Sequence, residues 1–235
     1  WLIVAAGIAG YLNTFGSPFI FDDATILTLQ AQPRWWRSAL NWFNPRALVN
    51  LTFIANGLVD ARNPAGYHAV NLAIHILAAL LLYGIVRRTL ERLSMTGWTP
   101  GLARGAAVVS AALWVIHPLQ TESITYICQR YESLMGLMFL LTLYGFVRSL
   151  DSRRPAGWLT VSVAACWLGM ETKQIMVMAP ALVVLYDHGF VSKGWRGVAR
   201  RWRYYALLAM SLAFFAGLHR WAVREAVGGG YSVTY

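Results

Sequence analysis

Charge is scarce in this sequence. Only 13% of its 235 residues are Asp, Glu, Lys or Arg, and just ten are acidic. Soluble domains carry about 25% charged residues. A mean hydropathy of +0.48 with 57% hydrophobic residues therefore describes a chain built for a membrane rather than for water. Cysteine is also rare. Cys128 and Cys166 lie in apolar segments without metal-type spacing, which argues against a zinc module and says little about redox compartment. No glycine-rich phosphate loop, zinc-protease motif or nucleophile elbow occurs, so a nucleotide-using enzyme or a serine hydrolase has no support. Internal repeats and low-complexity tracts are missing as well. The chain opens at Trp1 without Met or a basic leader and stops at "GGGYSVTY", so it reads as a single membrane domain, 1–235, forming the N-terminal part of a longer protein.

What is present is a series of apolar runs separated by arginine clusters. A membrane span needs about 20 apolar residues, and seven candidates emerge: 1–15, 67–86, 104–117, 123–147, 156–170, 174–186 and 204–220. The expected fold is all-α, a polytopic transmembrane helix bundle. The net charge of +10 is broken into clusters, which suits loops facing anionic lipid headgroups and speaks against nucleic acid as a partner. Placing Asp22 and Asp23 outside puts Arg87, Arg88, Arg92, Arg104, Arg148, Arg153, Arg154, Lys193, Arg196, Arg200, Arg201 and Arg203 inside, as positive-inside bias demands. Trp98, Trp158, Trp195 and Trp202 then mark the inner interface, and Trp35, Trp36, Trp42 and Trp221 the outer one. The long first outer loop, 22–66, contains "PRWWRSALNWF". Pro33 suits a first helical turn, and Trp36, Leu40 and Phe43 recur at helical spacing, so this piece is expected to lie flat on the membrane surface.

Polar residues inside or beside spans are functional hypotheses by default. In "FDDATIL", a carboxylate of Asp22 or Asp23 could take a proton from a hydroxyl or bind a cation. Helix capping would explain one Asp but not two. In "YHAVNLAIH", His68, Asn71 and His75 follow i, i+3, i+7 and share one helical face. They serve either a site or interhelical hydrogen bonding, and without a third ligand a zinc site is disfavoured. In "VIHPLQTESITYICQRYESL", His117 ends one span, and Glu122, Tyr126 and Gln129 are expected along one face of the next. Arg130 lies about two turns deeper, where it needs a carboxylate or a ligand phosphate. In "METKQ", Glu171 and Lys173 flank a short turn, and Lys173 could also meet phosphate. All these groups fall at the outer ends of the helices.

The segments "FIFDDATIL", "NPAGYHAVNLAIHILAALLLY", "ALWVIHPLQTESITYICQRYESL" and "GMETKQIMVMAPALVVLYD" occur in an order that resembles the membrane half of the transmembrane, tetratricopeptide-repeat O-mannosyltransferases and their bacterial relatives. These belong to the type C glycosyltransferases, which use polyprenyl-phosphate sugars. The resemblance covers about residues 15–190. It implies a type C bundle in which Asp22 is the catalytic base with Asp23 as its acidic neighbour. It also implies that His117, Glu122 and Arg130 match the "HP…TE…R" segment. Gln120 stands where relatives often have His, Gln129 where many have Gly, and "METKQ" replaces "SKE". Residues and resemblance together give Asp22, Asp23 and Glu122 as candidate catalytic groups and His68, His75, His117, Arg130 and Lys173 as candidate substrate-binding residues. The donor would be a lipid-linked sugar, a divalent metal is an open option, and the partners are membrane lipid and a protein acceptor or partner subunit. The alternative is a non-catalytic subunit that reuses the fold as a scaffold. Eighteen arginines against two lysines lean towards a GC-rich bacterium, hence its plasma membrane with the site on the extracytoplasmic side.

Overall fold

The computed structural model describes residues 1–24, 26, 46–93 and 99–228. The surface helix expected over 33–43, with Trp35, Trp36 and Trp42, lies outside these residues, as does Trp98. Every regular element among the described residues is helical. The principal helices are α1 (Leu2–Tyr11), α2 (Ala47–Asp60), α3 (Pro64–Leu93), α4 (Pro100–Val115), α5 (Glu122–Thr125), α6 (Arg130–Ser149), α7 (Pro155–Met170), α8 (Ala179–Tyr186), α9 (Trp195–Ala199) and α10 (Trp202–Gly228). Their starts follow local chemistry. Pro100, Pro155 and Pro180 occupy first turns, where a missing N–H costs nothing. The Thr99 hydroxyl caps α4 by accepting the Leu102 N–H at 3.2 Å.

Two helical stretches, Pro64–Leu93 and Gln174–Val191, are long and apolar enough to cross a membrane. A third span results if Pro100–Val115 and Pro118–Thr125, bent by 54° at His117–Pro118, count as one. Leu2–Gly16, Ala47–Asp60 and Pro155–Met170 are shorter apolar helices. One expected segment differs in form. The run 123–147 is not one helix: α5 ends at Thr125, Tyr126 is extended (φ −98°, ψ 108°), Ile127–Gln129 form a 3-10 turn, and α6 begins at Arg130. Glu122, Tyr126 and Gln129 therefore do not share a regular helical face.

Between helices in lipid there is little hydrophobic driving force, so close approach and polar links hold a bundle together. At α6–α7 the missing side chain of Gly145 allows the approach. A Cβ there would lie 2.9 Å from the Ser162 nitrogen and the Trp158 carbonyl oxygen. Next to it, the Ser162 hydroxyl lies 2.6 Å from the Thr142 carbonyl and 2.7 Å from the Tyr204 hydroxyl, tying α6, α7 and α10 together. Phe146, Met170, Met176, Val183 and Leu208 fill the main core.

Contacts sort the turns into two ends of the bundle. One end gathers 17–24, 115–130 and the turn at 171–175. The other gathers the arginines: Arg92 pairs with Asp151, Arg88 lies 5.6 Å over the Tyr144 ring, and Arg201 pairs with the fully buried Asp187 at 3.0 Å. Arg88 and Arg201 thus lie at the end of the bundle away from the Asp22–Asp23 turn.

Candidate active site

The site end is organised by a turn over Ile20–Asp23. The Asp23 N–H donates to the Ile20 carbonyl at 2.9 Å, and the Ile20 N–H to Asp23 Oδ2 at 3.1 Å. Phe21, in between, takes a left-handed backbone (φ 44°) and is 84% exposed. Such strain costs a bulky residue about 1–3 kcal/mol and has to be imposed by its surroundings. Here the turn's hydrogen bonds impose it, together with the edge-on packing of Phe21 against Tyr126 at 6.3 Å.

The two adjacent carboxylates go to opposite places. Asp23 is 0% exposed, and its Oδ1 accepts the Cys128 N–H at 2.8 Å. That amide belongs to the break before α6, so Asp23 pins the first loop to the break and is satisfied by backbone donors on both oxygens. Asp22 is exposed. Its Oδ2 accepts the Tyr126 hydroxyl at 3.0 Å, while its own N–H donates to the same hydroxyl at 3.3 Å. On the same segment Gln129 Nε2 donates to the exposed Glu122 carboxylate at 2.9 Å. Asp22 and Glu122 thus sit on one surface, each held by a residue of the break.

His68 and His75 of α3, expected to bind substrate, meet backbone carbonyls. Both are buried. The His68 ring meets the Ile124 carbonyl at 3.1 Å and the Ser17 carbonyl at 3.2 Å. Asn71 Nδ2 donates to the Ile127 carbonyl at 3.4 Å. His75 Nε2 lies 2.9 Å from the Val115 carbonyl at the end of α4, with its ring stacked on Trp114 at 4.6 Å. Carbonyls left without partners where helices stop would be costly in this apolar setting. The stripe brings donors to them, Asn71 Nδ2 to Ile127, His75 Nε2 to Val115 and the single N–H of a neutral His68 ring to one of its two carbonyls, which helps the fold tolerate a broken span.

Arg130 is also drawn inward rather than to Asp22. It is 0% exposed. Nε donates to Asn71 Oδ1 at 2.7 Å, Nη1 to Asn56 Oδ1 at 2.7 Å and Thr52 Oγ1 at 3.2 Å, and Nη2 to the Tyr67 carbonyl at 3.0 Å. The guanidinium lies 4.4 Å over the Phe53 ring. Four of its five N–H donors are used by α2 and α3, so it locks these helices to the start of α6. Glu132, the carboxylate nearest in sequence, pairs with Lys173 instead. The asparagines of α2 and α3 that receive Arg130 went unremarked for this role in the sequence; a buried Arg with Asn at matching depth is the signal that could have found them.

His117 is exposed and caps its own turn, Nδ1 accepting the Leu119 N–H at 3.2 Å. Beside it opens a cavity of about 490 Å3 with apolar walls including Leu82, Trp114, Phe139, Leu140 and Ile175. His75, Gln120, Ser123 and Glu132 supply its polar groups. Lys173 pairs with Glu132, which lines this cavity. Glu171 is 1% exposed, and neither of its oxygens has a hydrogen-bond partner; burial raises its pKa above the ordinary carboxylate range. Among the described residues no group of three or more His, Cys, Asp or Glu side chains converges as a metal site.

No family model matches the chain, and no solved structure matches it. Curated relatives do. Protein O-mannosyl-transferase Tmtc3 of Drosophila melanogaster is 28% identical over 216 residues, 79% of this chain and 23% of the relative. Tmtc2 of the same organism is 28% identical over 201 residues, 75% and 20% respectively. Human TMTC1 is 33% identical over 123 residues, 52% of this chain and 13% of the relative. The chain thus spans about a fifth of the length of the first two relatives. Over that part, it is similar to proteins named protein O-mannosyl-transferases.

Proposed function

We propose that this chain is the membrane part of a glycosyltransferase that moves a sugar from a polyprenyl-phosphate carrier to a hydroxyl of a protein acceptor. The reading rests on Asp22: an exposed carboxylate, oriented by Tyr126 and sharing a surface with Glu122, in a chain similar to O-mannosyl-transferases. In this scheme one Asp22 oxygen stays with Tyr126 while the other takes the proton of the acceptor hydroxyl. The freed oxygen attacks the anomeric carbon as its bond to phosphate breaks, and the bonding pair leaves on the phosphate. Lys173 is the cation at hand for that charge, and the apolar walls of the 490 Å3 cavity suit isoprenoid units. Arg130 is left to hold the frame. The finer expectations belong to the same proposal: a type C arrangement of seven spans, with the site on the extracytoplasmic face of a bacterial plasma membrane.

The test is transfer of labelled mannose from a polyprenyl-phosphate donor by the full-length protein. Asp22→Asn keeps the shape and removes the base, so transfer is expected to fall about a hundredfold or more with expression and unfolding midpoint unchanged. Wild-type turnover in Asp22→Asn would remove Asp22 from the chemistry. Absence of transfer by the wild-type protein across polyprenyl-phosphate sugars would favour the scaffold alternative.

A further inference from the structure

A second cavity, of about 730 Å3, lies at the arginine end, between the end of α6, α7 and the first turns of α10. The length of α6, about 30 Å for 20 residues, separates it from the Asp22 surface. Its walls are apolar, with Leu159, Val163 and Leu207, while its mouth carries Arg200, Arg201 and Arg203 around Trp202. These arginines are not equivalent. Arg201 donates to both oxygens of Asp187 at 3.0 and 3.1 Å, and Tyr205 and Ser192 occupy the same carboxylate. Asp151, the other acid at this end, pairs with Arg92. Arg200 and Arg203 are exposed and have no acidic partner among the described residues. Trp202, 62% exposed, has the position of an interfacial aromatic. Unneutralised positive charge at the mouth of an apolar slot between helices matches one ligand chemistry, a phosphate carrying hydrocarbon chains. A nucleotide would need polar groups along the walls. Of the hydroxyls there, Tyr204 is already engaged with Ser162.

We infer that this cavity binds an anionic diacyl phospholipid, with its phosphate between Arg200 and Arg203 and an acyl chain along Leu159, Val163 and Leu207. The site is independent of the transfer chemistry proposed above. The experiment uses the full-length protein, delipidated in detergent and titrated with dioleoyl phosphatidylglycerol or dioleoyl phosphatidylcholine under native mass spectrometry. Phosphatidylglycerol is expected to stay bound and phosphatidylcholine to be lost at the same activation energy. At about a factor of five per arginine near a lipid surface, Arg200→Ala with Arg203→Ala should weaken phosphatidylglycerol about thirtyfold. Leu207→Trp fills the slot without touching charge and should also abolish retention; it decides the matter alone if the double variant fails to fold. Arg196→Ala, in the same basic stretch but outside the cavity lining, should bind as wild type. Equal retention of the two lipids, or unaltered binding in Leu207→Trp, overturns the proposal. So does displacement by millimolar glycerol phosphate, which would mark a site for free phosphate.

Discussion

Replacing Arg130 by Lys keeps the charge and removes the fork, and the structure sets the consequence. The guanidinium donates to four acceptors from three different nitrogens, the buried Asn71 Oδ1 and Tyr67 carbonyl and the half-buried Asn56 Oδ1 and Thr52 Oγ1. An ammonium carries its three donors on one nitrogen, so we expect it to reach about two of these acceptors. Two buried acceptors left without donors cost about 1–3 kcal/mol each, or about 2–6 kcal/mol together. Loss of the stacking over Phe53 adds to this. At about 2–4 °C per kcal/mol for a protein of this size, the apparent melting midpoint of the purified, donor-free protein should drop by at least about 4 °C. The assay is thermal unfolding in detergent, followed by intrinsic tryptophan fluorescence. A midpoint within 1 °C of wild type, combined with weakened use of a polyprenyl-phosphate donor, would refute the argument and return Arg130 to the ligand.

Three other outcomes follow from the same geometry. Asp23→Ala strips the acceptor from the Ile20 and Cys128 amides and should destabilise the protein by about 2–4 kcal/mol, seen as a lower unfolding midpoint; a midpoint equal to wild type would mean the two amides find other partners. Gly145→Ala forces a Cβ to 2.9 Å from the backbone of α7 and should cost about 1–3 kcal/mol, read by the same unfolding measurement, whereas Gly157→Ala, with open space around it, should not. Glu171 has its pKa raised by burial, so its contribution to stability is full below the unfolded-state pKa and is lost as pH rises through the folded-state value; wild-type midpoints should fall on leaving the acidic range, and Glu171→Gln should flatten that dependence.

The fold was legible where the signal is local. The apolar run of α3 needs only its own composition, and Pro100 and Pro155 announce helix starts. The break at Tyr126 was not legible, because "ESITYICQRYES" contains neither Gly nor Pro. It is imposed from afar, by Asp23 taking the Cys128 amide and by His68 and Asn71 taking the Ile124 and Ile127 carbonyls. The α3 stripe was visible as a face, yet its partners are backbone atoms 40–56 residues away, which no periodicity encodes. Arg130 was visible as costly, but two anions and four neutral oxygens are equally good answers to a buried cation until the neighbouring helices are placed. Residue type alone does not distinguish Asp22 from Asp23; only the family resemblance ranked them. The Ile20–Asp23 turn separates them, sending one side chain into the fold and leaving the other outside.

That division also sets how freely this segment can change. The residue that anchors the loop and the residue offered to solvent are covalent neighbours, so their spacing is fixed even where a substitution at one spares the contacts of the other. Inserting one residue between them would lengthen the lever on which the outer carboxylate is carried. Substitution of the buried carboxylate therefore bears on whether the loop is built at all, while the side chain of its exposed neighbour holds only the Tyr126 hydroxyl.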